Sequence, residues 1–150
     1  MKELALLLAI LVVGTTSPAW AQWTLKKDKG ACALESNQMP VPDGYQESSA
    51  RVSIDRKAIR VRTESVLDPS FTDLGLRVDD KGLVAIDGAP DRNEVIFEKG
   101  YARIIEDMKK GKQLSVQLRF WPTWPATGTH AFTVGLKGFT AAYGELLKCD

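Results

Sequence analysis

The chain is short of the residues that most often mark chemistry. It has 2 cysteines and 1 histidine among 150 residues, too few soft ligands for a zinc finger or an iron–sulfur cluster. Neither cysteine belongs to a C-x-x-C pair, which argues against a catalytic thiol. No G-x-S-x-G elbow accompanies the histidine, and no glycine-rich loop is placed to cradle a phosphate. An excess of one charge is also missing. The 20 Lys+Arg against 19 Asp+Glu leave a net charge of +1, whereas nucleic-acid binders usually carry a strong basic excess. No nucleic acid, cofactor or metal is therefore expected. The one long apolar run, Leu4 to Val13, is about half of the ~20 residues that a spanning helix needs.

What is present fits a folded, exported domain. Hydrophobic residues at 44% and charged residues at 26% are proportions of a globule, not of a disordered chain. Residues 1–21 read as a signal peptide: Lys2 is the positive start, Leu4 to Val13 the apolar core, and Ala19-Trp20-Ala21 an A-x-A site with cleavage after Ala21. A membrane anchor is the alternative. Residues 22–150 are then a single β-rich domain with a periplasmic or secreted address and no transmembrane segment. In an oxidising compartment Cys32 and Cys149 are expected to form a disulfide, with two free thiols as the alternative.

The patterning is mostly that of short strands. Trp23 to Lys26 and Ala31 to Glu35 flank a turn at Lys27-Asp28-Lys29-Gly30. Met39 to Gly44, with two prolines, reads as a loop. Arg51 to Asp55 and Ala58 to Thr63 flank a polar turn, and in the second run Ile59, Val61 and Thr63 alternate with Arg60 and Arg62. Leu74 to Val78 turns through Asp79-Asp80-Lys81-Gly82 into Leu83 to Ile86. Asp87 to Asp91 reads as a loop and Glu94 to Glu98 as a strand. Tyr101, Ile104, Ile105 and Met108 form one helical stripe closed by Gly111 as the C′ residue. Leu114 to Phe120 and Ala131 to Leu136 are further strands. Phe139, Ala142, Tyr143, Leu146 and Leu147 are the buried stripe of a closing helix. This order predicts an antiparallel β-sandwich or partly open barrel with two short amphipathic helices on a sheet edge or end.

Lys109-Lys110-Gly111-Lys112 before Leu114 to Phe120, then Val134-Gly135-Leu136-Lys137-Gly138-Phe139-Thr140-Ala141-Ala142-Tyr143, resembles the invasion-associated locus B family of small exported bacterial proteins. The signal peptide and an early Trp followed by a Cys share in the resemblance. It implies a β-sandwich-like fold and a link to host-cell invasion, and it brings no catalytic motif. The chain differs from the family in having no cysteine between Cys32 and Cys149.

Three features could carry binding. Trp121 and Trp124 sit on a proline-stiffened stretch, Phe120 to Pro125, with His130 soon after. With Phe120 inward, the pleat sends Trp121 out as a contact for a sugar, peptide or protein. In the other reading both tryptophans plug the end of the core. Arg60 and Arg62 share a sheet face that Arg51 could join, with Arg56 and Lys57 nearby. That face is either a basic patch for an anionic partner or a solvated surface paired with acids. His130 reads as a polar surface residue, with catalysis, metal binding or pH sensing as lesser roles. Asp79, Asp80, Asp87 and Asp91 lack calcium-loop spacing and read as turn formers. The function expected is a non-enzymatic binding protein of the bacterial envelope with a protein or glycan partner. A structural or stress-related periplasmic protein is the alternative, and an uncharacterised hydrolase the second.

Overall fold

The computed structural model describes residues 22–122 and 128–150. The expected leader and Trp124 lie outside them. The elements run β1 (Trp23–Asp28), β2 (Ala31–Ser36), β3 (Met39–Pro42), β4 (Glu47–Ile54), β5 (Ile59–Thr63), β6 (Gly75–Val78), β7 (Val84–Ala85), β8 (Gly88–Asp91) and β9 (Glu94–Phe97). Then follow α1 (Tyr101–Lys110), β10 (Gln113–Leu118), β11 (His130–Gly135) and α2 (Phe139–Lys148). Two antiparallel sheets result: one in the order β1-β2-β4-β5-β9-β8 with β3 also on β4, the other β11-β10-β6-β7. This is a β-sandwich with two short helices, as the patterning predicted, and among the described residues the sheets do not close into a barrel.

Strand alternation builds the core. Ser48, Ala50, Val52 and Ile54 of β4 and Ile59, Val61 and Thr63 of β5 are buried, while Ser49, Arg51, Ser53, Arg60 and Arg62 face outward. From the second sheet Leu76, Val78, Leu114, Val116, Leu118, Phe132 and Val134 close on the same interior. The β1–β2 turn holds Lys29 at φ 48° and Gly30 at φ 80°, the positive angles a two-residue hairpin demands. Asp55 closes the β4–β5 turn by accepting from the amides of Lys57 and Ala58 at 2.7 and 2.9 Å.

Helix α2 packs against β1 and β2. Phe139 meets Trp23 edge-on at 5.2 Å, and the Trp23 indole donates to the Gly135 carbonyl at 3.0 Å. Cys32 and Cys149 form the expected disulfide, 117 residues apart in sequence. Arg56 does not join the other arginines. It donates to the carbonyls of Leu147 at 3.1 Å and of Cys149, at the C-terminal end of α2, where the helix dipole favours a cation.

Several boundaries depart from the patterning. Met39 to Pro42 is a strand, not a loop. Among the described residues its only strand partner is β4, an edge position that tolerates proline, and Val41 is its one fully buried residue. Gly88–Asp91 is likewise an irregular edge strand on β9. Leu147 is 53% exposed and lies outside the buried stripe. Gly111 follows α1, but in an extended conformation (φ −89°, ψ 175°). Glycine is needed there because a Cβ would come within 2.3 Å of Val78 Cγ1.

Two stability predictions follow from this frame. Replacing both Cys32 and Cys149 by Ser should lower unfolding free energy by ~4–5 kcal/mol, as expected for releasing a loop of more than ~100 residues. Urea titrations of the variant and of oxidised wild type would show it, and equal midpoints would rule it out. Ser36 is buried, and its hydroxyl accepts from the Val52 amide at 3.0 Å. Ser36→Ala leaves that amide orphaned and should cost about 1–3 kcal/mol, whereas Ser36→Thr should retain most of the stability.

Candidate functional site

The outer face of the larger sheet is concave. A groove of about 410 Å³ is lined by residues that include Gln38, Ser49, Arg51, Ser53, Arg60, Arg62, Glu64 and Glu94. Arg51 and Arg62 stand directly opposite one another on β4 and β5, a like-charge pairing that needs counter-charge. The counter-charge comes from the flanking strands. Arg51 reaches Glu35 of β2 at 3.3 Å. Arg62 donates through Nε and Nη2 to one oxygen of Glu94 on β9, at 3.1 and 2.8 Å. Arg60 pairs with Asp55 and approaches Glu94 at 3.9 Å. The Glu94 side chain is 12% exposed, so this carboxylate depends on its arginines far more than a surface ion pair would. At one end of the groove Gln38 donates to Ser49 Oγ at 2.6 Å and to Glu64 at 3.1 Å. Arg60 and Arg62 thus share a face with Arg51, as strand periodicity implies. The face is ion-paired, not an open basic patch.

A second feature lies at the end of the sandwich where the β3–β4 loop and the chain beyond β10 meet. Phe120 is buried and forms an isolated backbone bridge with Leu67, and the next residue, Trp121, is 56% exposed. The pleat sends it outward as the sequence suggested, so Trp121 is no core plug. Its amide donates to the Val66 carbonyl at 2.9 Å. Tyr45, 57% exposed, donates its hydroxyl to the Pro122 carbonyl at 2.9 Å. The Arg119 guanidinium lies 4.1 Å from the ring centre of Phe71 and is held by Thr129 and Asp73 at 3.1 and 3.2 Å. Tyr45 and Phe71 were missed by sequence reasoning. Pro42-Asp43-Gly44 is a turn signal, and an aromatic residue just after such a turn could have been picked out.

Asp43 anchors the loop that presents Tyr45. It is buried and accepts from the amides of Tyr45 and Gln46, both at 2.8 Å, and from the Ser65 hydroxyl at 2.7 Å. Burial pushes its carboxyl up. The Ser65 hydroxyl and the two amides outweigh that and hold it below the usual value, with a further electrostatic contribution from His130. His130 opens β11, half-buried, its ring 6.3 Å from that of Phe120. Its Nε2 is shut from solvent and has no hydrogen-bond partner among the described residues. His130 is thus placed beside Phe120, the residue before the exposed Trp121.

Asp79, Asp87 and Asp91 of the acidic turns accept from backbone amides. Asp79 accepts from the amides of Lys112 and Gln113, and Asp87 from those of Glu98 and Lys99. Among the described residues no helix is long and apolar enough to cross a membrane. Comparison with protein-family models, curated proteins and solved structures returns no match for this chain.

Asp43 gives a pH prediction. A carboxyl depressed in the folded state contributes stability that is present above its unfolded pKa of about 3.9 and is lost as pH falls through the folded value. Asp43→Asn should lower the urea midpoint at neutral pH, and the gap to wild type should close below about pH 4. A gap unchanged down to strongly acidic pH would show that the charge plays no part.

Proposed function

We propose that the protein is an exported, non-enzymatic binding module of a bacterial envelope that resembles the invasion-associated locus B proteins. Its contact surface is the aromatic end bearing Trp121 and Tyr45. The observation that carries this reading is that both rings are more than half exposed while their backbones are tied into the fold. Large aromatic side chains ordinarily go inside, and exposed ones on a rigid scaffold are the anchors of binding surfaces. The Tyr45–Pro122 hydrogen bond links the two loops, so little order has to be imposed when a partner arrives. Phe71 under Arg119 adds an aromatic ring capped by a cation. Export accords with the disulfide, which forms and persists in oxidising compartments. The ligand-free structural reading leaves the exposure of Trp121 without a purpose.

The test is retention of envelope components on the immobilised protein. Trp121→Ala and Tyr45→Ala should each weaken capture by roughly thirtyfold, the effect of losing an anchor worth about 2 kcal/mol. Their thermal midpoints should stay close to wild type, because exposed positions change stability by only about 0.5 kcal/mol. If both variants retain the same components as wild type, the aromatic end is not the contact surface.

A further inference from the structure

The aromatic end and the groove are neighbours. Glu64 lines the groove, and two residues later the Val66 carbonyl accepts the Trp121 amide at 2.9 Å. Two residues span at most ~7 Å, which places the Trp121 amide within about 13 Å of the Glu64 Cα. Tyr45 approaches the same end, because its loop leads into β4, whose residue Ser49 also lines the groove. The groove thus runs along the outer face of β4 and β5, and the segments that carry the exposed rings adjoin its Ser49–Glu64 end.

From this juxtaposition we infer that the partner is an uncharged oligosaccharide, laid along the groove and stacked at its end on Trp121 and Tyr45. The inference rests on the aromatic end being a contact surface and goes on to name what it contacts. Charge balance is the first argument. The groove sets Arg51, Arg60 and Arg62 against Glu35, Glu64 and Glu94, so neither a polyanion nor a polycation is favoured overall. Hydrogen-bonding capacity is the second. Guanidinium and carboxamide donors alternate with carboxylate acceptors, and a sugar hydroxyl serves as donor and acceptor at once. Among the described residues Arg51 uses only Nη1 on Glu35, and Arg62 leaves Nη1 without a partner, so N–H groups remain for a ligand.

Preorganisation is the third argument. The ion pairs on Glu35 and Glu94 already fix these side chains, which lowers the entropic cost of binding. The rings at the groove's end supply flat apolar faces for the C–H surface of a pyranose. A polypeptide suits the groove less well. Strands β4 and β5 lie inside the sheet, and the Ser36 hydroxyl takes the Val52 amide in the gap between β3 and β2, so no strand edge is open there to strand addition. The groove also offers no large apolar side chain to a peptide's anchors.

The test is titration of the full-length protein with neutral tetrasaccharides built from glucose, mannose or N-acetylglucosamine. Binding is followed by backbone amide shifts and by tryptophan fluorescence, with polyglutamate and polylysine as comparators. At least one tetrasaccharide should shift the amides of Ser49, Arg51, Arg62 and Glu64 together with the Trp121 indole. Gln38→Ala, at an exposed position, should weaken that binding about tenfold, as expected for one hydrogen bond worth about 1.4 kcal/mol. Arg62→Lys should weaken it similarly while keeping a charge beside Glu94. If no tetrasaccharide binds, or a charged polymer binds the same residues more tightly, the glycan assignment is wrong. In that event continued loss of envelope capture by Trp121→Ala would leave the binding-module reading standing.

Discussion

The amide of Val52 has no strand partner, and the arrangement of the molecule turns on that gap. Strand β4 is long enough to serve two neighbours on one side. It pairs with β2 at Ser53 and Ile54, and with β3 from Glu47 to Ala50. Between the two the chain steps away from β4, and the Ser36 hydroxyl supplies the bond that a strand would have given. A buried amide left bare is costly, so this side-chain substitute is what permits the step. The step lets β3 reach β11 of the second sheet. It also carries the chain into the Asp43 loop, where Tyr45 is presented. The floor of the groove and the aromatic end thus both derive from one interruption of a strand ladder.

Much of the fold was legible because its signals are local. Alternation in Ile59 to Thr63 and Leu114 to Phe120, the turns at Lys29-Gly30 and Asp79 to Gly82, and the stripe from Tyr101 to Met108 each depend on neighbours in sequence. Elements defined by a distant neighbour were not legible. Pro40 and Pro42 make β3 look like a loop, and only its place beside β4, with no strand beyond it, allows it to pair. Gly111 has the same character. Its identity suggested a left-handed helix end, yet the constraint is the approach of Val78, 33 residues away in sequence, within 2.3 Å of where a Cβ would sit.

The site divides along the same line. Periodicity placed Arg60 and Arg62 on one face and pointed Trp121 outward. It could not say what the arginines meet, because Glu35 and Glu94 belong to strands far from them in the chain. The difference is chemical as well as positional. Free arginines would draw any anion, whereas these are held by carboxylates and present a neutral, donor- and acceptor-rich surface. Phe71 was illegible for a related reason: exposure is the absence of a cover, and that absence has no local signature.

The geometry also separates holding the fold together from presenting a surface. Asp55 and Arg56 follow β4 at one end, and Arg56 grips the carbonyls of α2 beside Cys149. The Asp43 loop precedes β4 at the other. At ~3.3 Å per residue, the eight residues of β4 put roughly 25 Å between these ends. The disulfide, the Trp23–Phe139 contact and the hydroxyls of Tyr101 and Tyr143, which meet at 3.0 Å, involve the helices and the first hairpin. Exposed rings sacrifice apolar burial worth about 25 cal/mol per Å². A chain of this size can sustain that loss where its covalent and aromatic ties are concentrated elsewhere, and this is where β4 places them.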